Sequence, residues 1–191
     1  PTYKLGLRMP WPVAGPGVRY SAPGVGYSHL MRGERFTHTW LEKQGYDFDV
    51  ITNLDLHRDP ALLDGYKALI INGHDEYWSG PMRDTVESFV ARGGNAAFLS
   101  GNTAFWQVRL EQPSPEGPAA TMIGYKGNFK SDPVYDTDRV GELTCMWSDR
   151  LVGRPENHMS GVSFVRGGYH RIGKRATRGA GGYTIHRPDH W

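Results

Sequence analysis

Ala68-Leu69-Ile70-Ile71 is as long an uninterrupted apolar run as this 191-residue chain contains. Four residues are far too few for a membrane-spanning helix, which needs about 18 or more. They suit a core strand, and a run without alternation is the pattern of a strand covered on both faces of a parallel sheet. Parallel strands need crossover connections, so helices are expected on either side. Upstream, Phe36, Trp40 and Leu41 form one stripe of a helix over residues 32–44, and Gly45 sits where a left-handed cap belongs. A strand at 48–52 follows, then Asp59-Pro60 as cap and first turn of a short helix at 60–64. The apolar run lies in a strand at 66–72. Downstream, Ser79 or Gly80 with Pro81 opens a helix whose inner face is Met82, Val86, Phe89 and Val90, ended by Gly93-Gly94. A strand at 95–100 turns through Gly101-Asn102 into a helix at 103–108. This alternation predicts an α/β fold with a doubly wound parallel sheet over residues 28–110.

Outside that core the pattern weakens. Residues 1–27, with Met9-Pro10-Trp11-Pro12, read as an irregular N-terminal segment. Residues 111–191 read as a Gly/Arg-rich extension of the same domain, with Pro113, Pro115 and Pro118 marking a linker or lid and strands at 140–147 and 161–165. There are 25 glycines and 13 prolines, yet 12% of residues are aromatic, a mixture that favours ordered loops over disorder. The first residue is not Met and the last is Trp191, so a piece of a longer protein is expected.

Net charge is +2, which gives no reason to expect a nucleic-acid partner, and neither a transmembrane run nor a signal-peptide pattern argues for a membrane. The charge is uneven: residues 150–191 hold eight Lys/Arg against Glu156 and Asp189. A single Arg166-Gly167-Gly168 is a weak RNA signal, and such a segment reads as a solvated or partner-facing surface. Cys145 is the one cysteine, which excludes an intrachain disulfide and any zinc site with two thiolates. Its apolar neighbourhood reads as core, and a reducing cytoplasm is the simplest compartment.

In open α/β sheets ligands bind beyond the carboxyl ends of the strands. Two such ends are visible, and neighbouring strands lie about 5 Å apart, so their loops can face one crevice. The first, Asn72-Gly73-His74-Asp75-Glu76-Tyr77-Trp78-Ser79, holds an imidazole, two carboxylates and a phenol. In extended chain His74 and Glu76 point the same way, which suits a base with its orienter or a metal ligand with its neighbour. The plainer reading has Asp75 or Ser79 capping the next helix and His74 satisfying loop backbone. The second end is Ser100-Gly101-Asn102-Thr103, where hydrolases and amidotransferases place a nucleophile. Thr103 is β-branched and fits a strained elbow poorly. Asn102 suits an oxyanion donor or, equally, a helix cap. His186 and His190 are separated by Pro188, which breaks any helical metal motif.

The phrases Gly73-His74-Asp75-Glu76-Tyr77-Trp78-Ser79, Ser100-Gly101-Asn102-Thr103-Ala104-Phe105-Trp106 and Trp40-Leu41-Glu42-Lys43-Gln44-Gly45-Tyr46-Asp47 occur in that family's order, and the chain thereby resembles the C-terminal domain of the N,N-dimethylformamidase large (beta) subunit family. The likeness covers roughly residues 20–130 and continues through Gly182 to Trp191. It implies a fold similar to class I glutamine amidotransferases without their cysteine elbow. It also implies a mononuclear iron (Fe3+) held by two Tyr and one Glu, with Glu76 as the Glu ligand, Tyr20 as one Tyr ligand, and His74, Asn102 and Lys126 as catalytic neighbours. Only Tyr3 precedes Tyr20, and a further acidic residue of the family pattern falls after Trp191. Phenolate and carboxylate oxygens are hard donors that suit such an ion, which would act as a Lewis acid and activate water. The implied substrate is a small-molecule alkyl amide. The implied partners are a second copy, the rest of a longer chain or a small subunit. The alternative is a non-catalytic amidotransferase-like module that binds a ligand or subunit.

Overall fold

The apolar run does form a strand in the computed structural model of the chain, which describes residues 3–7, 33–112, 121–163 and 186–189. In chain order the elements are β1 (Lys4–Gly6), α1 (Arg35–Gln44), α2 (Asn53–Arg58), β2 (Ala68–His74), β3 (Tyr77–Ser79), α3 (Gly80–Ala91), β4 (Asn95–Gly101), β5 (Trp106–Glu111), β6 (Thr121–Ile123) and α4 (Asn157–Ser160). Short 3-10 turns at Lys126–Ser131 and Val140–Glu142 stand between the last two. The architecture is α/β with mixed pairing. β2 runs parallel to β4 over its whole length, and the helix α3 lies between them in sequence. β3 runs parallel to β5, while β5 pairs antiparallel with β6 and β6 with β1, so the order is β1-β6-β5-β3.

α3 forms as its signals require. Ser79 caps it, accepting from the Met82 amide at 3.5 Å, and Pro81 occupies its first turn. Met82, Val86 and Phe89 are buried, but Val90, expected on the same face, is 44% exposed. These side chains pack with Leu56, Leu63, Leu69, Ile71, Trp78, Ala104 and Trp147 into the main core. A smaller cluster of Val134, Leu143 and Cys145 joins it through Val152, which packs against both. Burial pushes the Cys145 thiol up to about 12, so it is an inert core group.

Several expectations need correction. β2 is covered on one face: Leu69 and Ile71 are buried, whereas Ile70 is 37% exposed. Within the described residues the helices that pack on it supply one layer, and apolar content alone does not reveal whether a second exists. The stripe on α1 fails for the same reason. The helix forms and Gly45 closes it at φ 74, yet Phe36 and Trp40 are 59% and 53% exposed. The short helix expected at 60–64 is displaced to α2. There Thr52 and Asp55 make a capping box, with the Thr52 amide donating to Asp55 at 2.8 Å. Asp59 caps a turn instead, accepting from the Ala61 amide at 2.9 Å, because a residue before proline is driven to extended backbone. Residues 48–52 form no strand. The expected helix at 103–108 does not form: 103–105 are turn and loop, and 106–108 begin β5. Trp-Gln-Val-Arg-Leu-Glu alternates strictly between apolar and polar, which is the two-residue period of a strand. Residues 140–147 make a 3-10 turn and a single bridge from Met146 to Trp106 in place of a strand. Residues 161–163 are not a strand either, and 164–165 lie outside the described residues. β1 lies within the segment that the sequence reads as irregular. Among the described residues no helix is long and apolar enough to cross a membrane.

Candidate functional site

β2 ends where its chain must turn sharply, and Gly73 takes φ +81 to do so. A β-carbon there would stand 2.5 Å from Glu34 Cγ. Gly73→Ala is therefore expected to cost about 1–2 kcal/mol from the left-handed backbone, with Glu34 displaced. Chemical denaturation checks this, and an unchanged midpoint would contradict it.

Beyond Gly73 the loop is stitched to the end of β4. The Asp75 amide donates to the Gly101 carbonyl at 3.2 Å, the Ala104 amide to the Asp75 carbonyl at 2.9 Å, and the Trp106 amide to the Glu76 carbonyl at 2.9 Å. These bonds bracket the turn that carries Asn102, itself left-handed at φ 54. Asn102 caps no helix, because none follows; its carbonyl accepts from the Phe105 amide at 3.1 Å. Thr103 spends its hydroxyl on Ser100, donating to that residue's carbonyl at 3.1 Å.

His74 and Glu76 face the same way, with Nε2 3.0 Å from Glu76 Oε2. The other Glu76 oxygen accepts from the Trp106 indole at 2.9 Å. The carboxylate is thus held by side chains on two strands and does not tie down local main chain. Their side chains are 31% and 18% exposed, reachable yet partly desolvated. Trp106 is placed by topology, since Tyr77 and Trp106 are register partners of the parallel pair β3 and β5. β6 then runs back along β5 with Ile123 opposite Arg109, which returns the following residues toward Trp106. Lys126 arrives there with Nζ 2.5 Å from the Tyr77 hydroxyl and 5.6 Å from the Trp106 ring centre. His74, Glu76 and Lys126 are therefore linked through Trp106, and Asn102 stands in the adjoining turn. Tyr20 lies outside the described residues, as do residues 166–182.

Asp75 has a different task from its neighbours. It does not cap α3, a role Ser79 fills. Asn53 of α2 donates to its carboxylate at 2.6 Å. Burial pushes the Asp75 carboxyl up, opposed by Asn53, the Trp78 indole and His74. Glu34 is also raised, first by burial and further by Asp75, with His38 opposing. Raised carboxyls hold their protons more tightly in the native state. Their ionisation therefore costs stability as pH rises beyond the ordinary carboxylate range. Ser79, almost fully buried, meets His57 Nδ1 at 2.8 Å, and burial pushes His57 down; this joins α2 to the start of α3.

A cavity of about 340 Å³ opens elsewhere, lined by Tyr66, Lys67, Phe89, Arg92 and Asn95 among others. It lies at the amino ends of β2 and β4, where Arg92 pairs with Asp64 at 2.7 Å, and contains none of the candidate residues. The carboxyl ends are the better site on topological grounds, because the loops there converge. The iron that the resemblance implies would be held by Glu76 and by Tyr20, which lies outside the described residues. Among the described residues no three His, Cys, Asp or Glu side chains converge as a metal site, and both Glu76 oxygens carry hydrogen bonds.

His74, Glu76 and Asn102 are candidates from residue type and position alone. Tyr77 is one polar group among several in that loop, and the expected helix at 103–108 hides the strand position of Trp106. The alternation at 106–111 was the available signal for the strand that brings Trp106 to Glu76.

An α/β protein with a polar cluster at the carboxyl ends of its parallel strands is the class these observations define. The chain belongs to the N,N-dimethylformamidase beta subunit-like, C-terminal family, whose model matches residues 7–191. It is 34% identical over 77 residues to the N,N-dimethylformamidase beta subunit of Alcaligenes sp. It is 32% identical over 77 residues to that of Paracoccus aminophilus. Each match covers 40% of this chain and 10% of the relative, so the chain spans a small part of the length of those subunits.

Proposed function

We propose that this chain is the site-bearing part of an amide hydrolase that cleaves the C–N bond of small alkyl amides. The observation that carries the reading is the His74–Glu76 pair at 3.0 Å, fixed by the Trp106 indole beside the Asn102 turn. A base that is itself oriented by a carboxylate is the arrangement water activation requires. His74 takes a proton from water as its oxygen attacks the carbonyl carbon. The Asn102 amide steadies the oxyanion, worth about 3 kcal/mol for one such donor. The C–N bond breaks as His74 returns the proton to the amine nitrogen, leaving a carboxylic acid and a free amine. Lys126 supplies positive charge at the far edge of Trp106. The names of the two relatives support the substrate class.

The fold we propose is a doubly wound glutamine amidotransferase-like sheet, supported by the parallel β2–α3–β4 unit. Iron is likewise a proposal, with Glu76 and Tyr20 as ligands and Lewis-acid polarisation of the carbonyl as the chemistry supplied when bound. Elemental analysis of the full-length protein is expected to give iron in wild type and little in Glu76→Ala. Equal iron in the two would remove Glu76 from the ligand set. The amide reading itself is tested by amine release from small dialkyl amides incubated with the full-length protein. Release that depends on His74 supports it, and no release from any of them overturns it.

A second reading, an amidotransferase-like module that binds a partner subunit without catalysis, is favoured by the exposed apolar side chains of Phe36, Trp40, Ile70 and Leu99. Co-purification of a subunit that is lost on Trp40→Glu and kept on His74→Ala would select it.

A further inference from the structure

We infer that Tyr77 is a positioning residue of this site, acting through Lys126, an inference that rests on the amide-hydrolase reading above. Lysine is a poor residue to place by itself, because its ammonium ends a flexible four-carbon stem with three rotatable donors. Here both ends of the side chain are restrained. At the backbone Lys126 adopts a left-handed conformation, φ 54, that non-glycine residues rarely take. Its amide donates to the Thr144 carbonyl at 2.7 Å, and the preceding Tyr125 amide donates to the Thr144 hydroxyl at 2.8 Å. The Tyr125 ring stacks on Tyr3 with centres 4.2 Å apart. Unusual backbone held by its surroundings in this way is typical of functional positions.

At the other end Nζ is 2.5 Å from the Tyr77 hydroxyl, 4.6 Å from the Tyr77 ring centre and 5.6 Å from that of Trp106. Tyr77 is itself placed by β3, whose register sets it directly beside Trp106 on β5. The phenol is an acceptor that localises the ammonium without neutralising it. None of the ion pairs among the described residues includes Lys126. A carboxylate in place of the phenol would cancel the charge. Trp106 also stands between the two halves of the site, with its N–H on Glu76 and its ring beside Lys126. A positive charge retained and aimed across an indole at the water-activating pair suits a group that develops negative charge during acyl transfer.

Tyr77→Phe is the test, since it keeps the ring and removes only the hydroxyl. In the full-length protein the lysines are labelled competitively with an amine-selective acylating reagent and quantified by mass spectrometry. Exposed Lys67 is the internal standard. Lys126 is expected to label several-fold faster in Tyr77→Phe than in wild type. Amide turnover is expected to fall roughly ten- to a hundredfold in kcat with little change in KM, as for loss of positioning. In a Lys126→Met background the Phe substitution should have no further effect. Unchanged Lys126 labelling overturns the inference whatever the activity. Faster labelling in a protein that hydrolyses no amide leaves Tyr77 as the residue that positions Lys126 and removes the amide-hydrolase reading instead.

Discussion

His74→Ala in the full-length protein is expected to lower amide turnover by about 10²–10⁴-fold, the usual contribution of a positioned acid–base group. The loss should fall in kcat and kcat/KM together, because the imidazole acts on the proton of attacking water and not on substrate affinity. Glu76 grips Nε2 at 3.0 Å, so its removal should reproduce much of the same loss by freeing the ring. The fold should survive either change, since the side chains are 31% and 18% exposed and stand outside both apolar clusters. Steady-state kinetics with amine detection decides the matter. A His74→Ala protein with wild-type kcat would remove the imidazole from the chemistry.

The largest stability effect is expected at Asp132. Its side chain is fully buried, and Arg109 reaches it with both guanidinium branches at 2.9 and 2.7 Å. The Thr144 hydroxyl and amide add bonds at 2.8 and 3.1 Å, and the Val134 amide one at 3.3 Å. This carboxylate joins β5 to the turns that carry Leu143 and Cys145. Asp132→Ala is therefore expected to cost about 3–5 kcal/mol, because it strands a largely buried guanidinium and the Thr144 donors. Burial alone would push this carboxyl up, but Arg109, Thr144 and the Val134 amide together hold it below its ordinary 3.8. A group depressed in the native state contributes fully above its unfolded value and loses that contribution as pH falls through the native one. The gap between wild type and Asp132→Ala should therefore be widest near neutrality and narrow below about pH 4. Urea unfolding across that range checks both parts. A neutral-pH loss under about 1 kcal/mol, or a gap that widens in acid, contradicts them.

Local signals carried much of the fold. Ser79 with Pro81, the spacing of Met82, Val86 and Phe89, and the position of Gly45 each depend on residues within one or two turns of chain. Each did what its chemistry requires. The strands β2 and β4 and the loops after them were legible for the same reason, and with them His74, Glu76 and Asn102. What failed depends on distant partners. Phe36 and Trp40 are spaced for burial, yet spacing does not say whether anything packs against them. The Arg109–Asp132 pair has no local signature. Nor does the clamp in which buried Arg83 and half-buried Arg154 lie 4.8 and 5.4 Å from the Trp147 ring while both bond Glu87. Tyr77 belongs with these. Its importance arises from Lys126, which only the antiparallel return of β6 brings to it. The strand at 106–111 is a different case, because its alternation is a local signal that competes with the Gly101-Asn102 turn before it, which has the look of a helix start.

The account stands on the loops after β2 and β4 forming one reaction site. A double-mutant cycle with His74→Ala and Asn102→Ala, read in kcat/KM for a small dialkyl amide, tests that most directly. One shared site predicts strong non-additivity, with the double variant little slower than the worse single one. Losses that simply multiply would mean that proton transfer at His74 and the oxyanion contact at Asn102 are not coupled in one reaction site, and would contradict it.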